Sequence, residues 1–243
     1  MAQRPIAAFD LDGTLIRWQL YHAVADKLAR DGHINQEAFK RVKMARMEWK
    51  NRVNDMSFKT YEQALVYLVD TAITKISVAD FDIAVKEVID EYKNQTYTYT
   101  RNLLSELKSK NYLLFAISAS QEQLVKMIAE TYGFDDYAGS TYEVKNGYFT
   151  GEKHVIKGDE KPSVLKKLVK KHHATWKASI AVGDSESDIP MLDAVENPIA
   201  MNPTKELFEQ AKANNWRVVI ERKNVIYTLE PHNGSYLLAQ TDT

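Results

Sequence analysis

The sequence predicts an α/β fold: a Rossmann-like parallel sheet core with helices on both faces, plus an inserted α-helical domain. Three observations predict it. After about residue 95, apolar runs alternate with amphipathic helical stretches, the pattern of parallel strands joined by covering helices. Between about residues 19 and 93 only helical periodicity is present. Three apolar runs end in polar residues, Asp10, Ser118 and Asp184, and open parallel sheets gather ligands at the carboxyl ends of their strands.

Residues 4–10 read as a short buried strand. Leu20, Val24 and Leu28 then recur at helical spacing, with Gly32 as a stop. A second helix carries Phe39, Val42, Arg46 and Trp49, a less clean apolar face. Ser57 is expected to cap a third, lined by Tyr61, Leu65, Leu68 and Ala72. Ser77 with Asp80 resembles a capping box ahead of Phe81, Val85, Val88 and Tyr92. A helix near 100–110 precedes the strand YLLFAIS (112–118), and a helix over about 121–132 follows. Asn146-Gly147 predicts a two-residue hairpin, and Pro162 suits the first turn of a helix. KASIAVGD gives a strand ending at Gly183 and Asp184. A short helix, a strand at 198–201, a helix at 204–214 and a strand at 216–220 follow. Beyond about residue 221 only turns are legible, at Pro231 and Asn233-Gly234. The expected division is 1–16 and 95–243 for the core and 17–94 for the helical domain.

The composition narrows the chemistry. With 32 Lys plus Arg against 33 Asp plus Glu, the 243-residue chain has no charge excess calling for nucleic acid or an anionic membrane. The absence of cysteine excludes disulfides, thiol catalysis and Cys-based zinc sites. No segment approaches the roughly 20 apolar residues of a membrane span, and the N-terminus lacks a signal peptide's apolar stretch. The expectation is a soluble, cytoplasmic protein.

Asp10 and Asp12 in AAFDLDGTLI are two residues apart, so an extended backbone points both side chains the same way. One carboxylate can bind a metal and act as nucleophile; the other can donate a proton to a leaving group and later take one from water. Like charges this close call for a cation, and an all-oxygen site suits a hard one such as Mg²⁺. The plainer alternative is an Asp-Gly turn whose acid is satisfied by backbone amides. Right-handed crossovers bring Ser118 and Asp184 to the same sheet edge. Asp188, four residues after Asp184, is a helix cap, a metal-shell acid, or both. Ser118 either caps a helix, with Ser120 competing, or binds a phosphate oxygen at a helix N-terminus. Lys161 stands among lysines that read as solvated surface, as do His172 and His173.

Together DLDGT (10–14), the strand ending in Ser118, Lys161 and GDSESD (183–188) resemble the haloacid dehalogenase superfamily of phosphohydrolases. The 23-residue step from Lys161 to Asp184 and the helical insertion are similar to its phosphoserine phosphatase-like branch, in which the insertion is a cap domain. The resemblance implies that Asp10 attacks phosphorus and Asp12 serves as acid and then base. It implies Mg²⁺ held by Asp10, the Asp12 carbonyl and Asp184, with Asp188 in support, and a phosphoryl group held by Ser118 and Lys161. An acid at position 12 favours phosphate esters over halides, which leave without a proton. Where phosphoserine phosphatases carry a glutamate nine residues after the nucleophile, this chain has Gln19, whose neutral amide loses the charge pairing with a substrate ammonium. Arg46 and Arg52 are candidate partners of a substrate carboxylate. The expected function is hydrolysis of a small phosphomonoester; phosphoryl transfer to another acceptor and a non-catalytic phosphate-ligand module are the alternatives.

Overall fold

The computed structural model describes residues 3–242 and divides the chain into two compact units. The first comprises residues 1–19, 92–140 and 155–243; the second comprises 20–91 and 141–154.

The first unit is a parallel sheet. β1 (Pro5–Phe9) lies between β2 (Leu113–Gln121) and β5 (Thr175–Gly183). β2 pairs with the first half of β3 (Asp136–Lys145). β5 continues through β6 (Asn197–Met201) to β7 (Arg217–Arg222), all parallel. The chain leaves β1 toward β2 and returns on its other side as β5, so β1 sits at a topological switch point, where a crevice opens at the strand ends. Strand alternation sends Ile6, Ala8, Phe115, Ile117 and Ala181 to one face. There they pack with Leu165, Leu168 and Val169 of α7 (Lys161–Lys171), Met191 and Leu192 of α8 (Ile189–Asp193), and Leu207 and Ala211 of α9 (Lys205–Ala213). α5 (Thr98–Ser109) and α6 (Glu122–Tyr132) lie against β2.

The segment beyond 221 extends this sheet as an antiparallel hairpin, β8 (Val225–His232) and β9 (Ser235–Asp242). Asn233 and Gly234, at φ +49° and +74°, make the turn as expected. Pro231 does not turn the chain; it lies inside β8. β7 reaches only as far as Leu229, so no β7 carbonyl needs the N–H that proline lacks. Glu221, buried at the end of β7, accepts the Thr98 and Tyr99 amides at 3.0 and 2.9 Å and so holds the start of α5. His172 is not simply solvated: it pairs with Asp136 at 2.6 Å and lies over Phe115.

The second unit holds α1 (Leu20–Arg30), α2 (Gln36–Lys50), α3 (Ser57–Ile73) and α4 (Val78–Tyr92, its last residue belonging to the first unit). Gly32 closes α1 at φ +85°, where a left-handed residue is required. Ser57 begins α3 rather than capping it: its hydroxyl accepts the Asn54 amide at 3.1 Å. The Asn146-Gly147 hairpin forms, but its arms, the second half of β3 and β4 (Tyr148–His154), group with the helices. Three contacts account for this: Gly147 O accepts the Val78 amide at 2.9 Å, Phe149 meets Phe81 edge-on, and Lys153 pairs with Asp70 at 2.6 Å. α2 buries Phe39 and Val42, and its Trp49 stacks on Tyr61, 5.6 Å between ring centres.

His22 is buried against Tyr61 and Phe58. Burial first, and the Arg46 charge second, lower its pKa from 6.5 to about 4. The folded state therefore stays neutral where the unfolded chain binds a proton. The stability that neutral His22 contributes is complete above pH 6.5 and is lost as the pH falls toward 4, by roughly 3 kcal/mol. Urea unfolding of wild type and His22→Leu at pH 7 and pH 4.5 checks this: the variant should lose less stability on acidification.

Candidate active site

β1 ends at Phe9, and the Asp10 amide still bonds to Val182 O at 3.0 Å, so the ladder carries Asp10 to the sheet edge. The chain then coils tightly: the Leu15 and Ile16 amides return to Leu11 O at 3.0 and 2.9 Å. Gly13 is required at this turn for two reasons. Its φ is +88°, and an added Cβ would lie 2.2 Å from Asp184 Oδ2. The same crowding applies at Gly183, where a Cβ would fall 2.4 Å from that of Asp188. Gly13 lets the turn after β1 approach the turn after β5, and Gly183 lets the latter fold back on itself around Asp188.

That approach brings the acids together. Asp10, Asp184 and Asp188 each offer a carboxylate oxygen within 4.8 Å of the others. Lys161, at the start of α7 and only 1% exposed, donates to Asp10 Oδ1 at 2.9 Å and Asp188 Oδ1 at 2.5 Å. Asp188 also accepts the Asp184 and Ser185 amides at 3.1 Å, so it folds back to tie its own loop rather than capping α8. Thr14 donates to Asp184 at 3.3 Å.

The electrostatics follow from burial and crowding. Burial, opposed by Lys161 and reinforced by Asp188 and Asp12, raises Asp10 to about 7. Burial, with Asp10 and Asp188 nearby, raises Asp184 to about 9. Burial alone would lower Lys161; Asp10 and Asp188 override it and hold the ammonium above its ordinary value. One ammonium does not neutralise three clustered carboxylates. An all-oxygen donor set with surplus negative charge fits a hard divalent cation.

Asp12 faces a different neighbourhood. Its Oδ2 accepts Ser118 Oγ at 3.1 Å and Ser120 Oγ at 2.7 Å. Neither serine caps α6, whose N-cap is Gln121. Ser120 was missed as a site residue by sequence reasoning, although strand alternation puts it on the same side as Ser118. Of the substrate candidates, Gln19 is half-buried just before α1. Arg46 is engaged by Asp26 at 2.8 Å and lies over Tyr61. Arg52 is exposed beyond the end of α2 at φ +52°.

The sheet carries paired acids after its first strand, a lysine at the start of α7 and two further acids after β5, and the class of protein that goes with them is a phosphatase. Residues 7–193 match the haloacid dehalogenase-like hydrolase family, and the chain belongs to it, on its phosphoserine phosphatase-like side. The phosphoserine phosphatase of Methanocaldococcus jannaschii is 27% identical over 212 residues, 86% of this chain and 90% of that protein. The inhibition of morphological differentiation protein of Streptomyces azureus is 26% identical, over 89% of this chain and 78% of its own. Among solved structures, a Bordetella pertussis protein of unknown function has a TM-score of 0.73 at 23% identity, over 90% of this chain and 99% of that one. The phospho-aspartyl intermediate analogue of phosphoserine phosphatase has a TM-score of 0.63 at 21% identity, over 91% and 95%. These structures share the fold, a parallel core with an inserted helical cap.

Proposed function

We propose that the chain is a Mg²⁺-dependent phosphatase that hydrolyses a small phosphomonoester through an aspartyl-phosphate on Asp10. The observation that supports this reading is the division of labour between two neighbouring acids: Asp10 accepts from the Lys161 ammonium, whereas Asp12 accepts from the Ser118 and Ser120 hydroxyls. In the first step an Asp10 oxygen attacks phosphorus, the bond to the leaving oxygen breaks, and Asp12 gives that oxygen its proton. In the second, water attacks phosphorus, Asp12 takes the water's proton, and the Asp10 carboxylate departs, releasing phosphate.

Carboxylate attack on a phosphate brings like charges together, costing about 4 kcal/mol for a unit pair at 4 Å and an effective dielectric of 20. The Lys161 ammonium offsets part of this. Asp10, the Asp12 carbonyl and Asp184, with Asp188 behind them, are the groups to hold Mg²⁺, which supplies charge neutralisation to the transferring phosphoryl group. Ser118 and Lys161 would take the phosphoryl oxygens. The helical unit acts as the cap that reads the leaving group, with Gln19, Arg46 and Arg52 as its polar candidates. Phosphoserine, on which relatives act by name, is one candidate substrate.

The test is release of inorganic phosphate from sugar phosphates, nucleotides, phosphoserine and phosphorylated lipid head groups. Turnover of at least one small monoester is expected with Mg²⁺, its loss with EDTA, and its return on adding Mg²⁺. No release from any substrate would leave a phosphate-ligand module. Phosphate found on an added alcohol rather than in solution would make the protein a transferase.

A further inference from the structure

We propose that Ser120 is a positioning residue for Asp12, holding that carboxyl in register for its acid and base steps. This rests on the hydrolytic reading above. β2 continues to Gln121, so residues 118 and 120 project to one side while Ala119 is exposed on the other. Both hydroxyls converge on the same oxygen of Asp12, at 3.1 and 2.7 Å. Two hydroxyl donors on one oxygen fix the orientation of the carboxyl. The two serines are not equivalent. Ser118 Oγ also accepts the Ser120 amide at 3.0 Å, and it has a second claimant in the phosphoryl oxygen of a bound substrate. Ser120 Oγ is 0.4 Å nearer to Asp12 than Ser118 Oγ is, taking the difference of the two distances. It is also not spent on capping α6. When Ser118 turns to phosphate, Ser120 remains to fix the rotamer of Asp12.

An aryl leaving group departs as a stable phenolate and needs no proton, whereas attack of water on the aspartyl-phosphate needs Asp12 as base. Positioning by Ser120 therefore has a signature that a general loss of structure lacks. The experiment uses the full chain with Mg²⁺ and p-nitrophenyl phosphate, followed by rapid mixing and by acid-quenched protein-bound phosphate. Ser120→Ala should release the first equivalent of nitrophenolate within about twofold of the wild-type rate. Steady turnover should fall about ten- to hundredfold, the range for a lost hydrogen bond to a charged group, with phosphoprotein accumulating. Ser120→Thr, which keeps the hydroxyl, should recover most of the turnover. Equal slowing of both phases, no slowing of either, or no recovery with threonine would overturn the proposal. Wild type that forms no phosphoprotein, with an Asp10→Asn variant as active as wild type, would instead sink the hydrolytic reading and this inference with it.

Discussion

Asp10→Asn is expected to lower turnover by about 10⁴-fold or more, the scale of losing a covalent nucleophile, and to leave the protein folded. An amide in the same volume keeps the side chain's packing but offers no anionic oxygen to attack phosphorus. No phosphoprotein should accumulate at any time point. Stability should move the other way. Asp10 is buried at 6% exposure, and burial, aided by Asp188 and Asp12, raises its pKa to about 7. Above that pH the fold carries a buried charge that the unfolded chain solvates freely. Removing it relieves the crowding, and Lys161 still has Asp188 at 2.5 Å. The unfolding midpoint without divalent cation at pH 8 is therefore expected at or above that of wild type. At pH 5 the advantage should be smaller, because only part of the window between pH 3.8 and 7 has been crossed, and it should vanish only near pH 3.8, where the unfolded carboxyl is protonated too. Turnover near the wild-type rate, or a variant unfolded at both pH values, would contradict the assignment of Asp10.

What the sequence made legible was whatever a local pattern carries. Strand ends announce themselves because a buried apolar run must stop, so Asp10, Ser118 and Asp184 stand out in the sequence. Asn146-Gly147 and Asn233-Gly234 were legible as turns because left-handed φ restricts the residue types. Side-chain partners distant in the chain were not legible. Lys161 sits beside Pro162 among surface lysines, and nothing nearby distinguishes it; its partners lie 151 and 27 residues away. Ser120 looked like a rival cap because the acid it serves is 108 residues upstream. Glu221 gave no signal, since the amides it accepts belong to a helix more than 120 residues earlier. The hairpin at Asn146 is legible as a hairpin, but its grouping with the helices depends on Phe81 and Asp70, residues no local pattern connects to it.

Lys161→Met is the variant expected to damage stability most. The substitution keeps the length of the stem and removes the charge. It leaves Asp10 and Asp188, 6% and 0% exposed, without their shared cation. Breaking a buried pair by deleting one partner costs about 3–5 kcal/mol, because the surviving charge is left in a poor solvent. Turnover should also fall, by about 10²–10³-fold, the usual loss on deleting one preorganised donor to a developing charge. The pH dependence identifies the cause. Asp10 is raised to about 7 and Asp184 to about 9 even with the ammonium present, and without it Asp10 must rise further. A carboxyl raised in the folded state keeps a proton that the unfolded chain has released above pH 3.8, so stability falls as the pH climbs between those values. The deficit of Lys161→Met relative to wild type should therefore be larger at pH 8 than at pH 5.5 in urea unfolding without divalent cation. Added Mg²⁺ should narrow it at pH 8. Lys161→Arg, which keeps a cation in a bulkier form, should recover part of the stability. A deficit equal at both pH values would mean that Lys161 contributes packing rather than charge, and the electrostatic account of the site would then have to be abandoned.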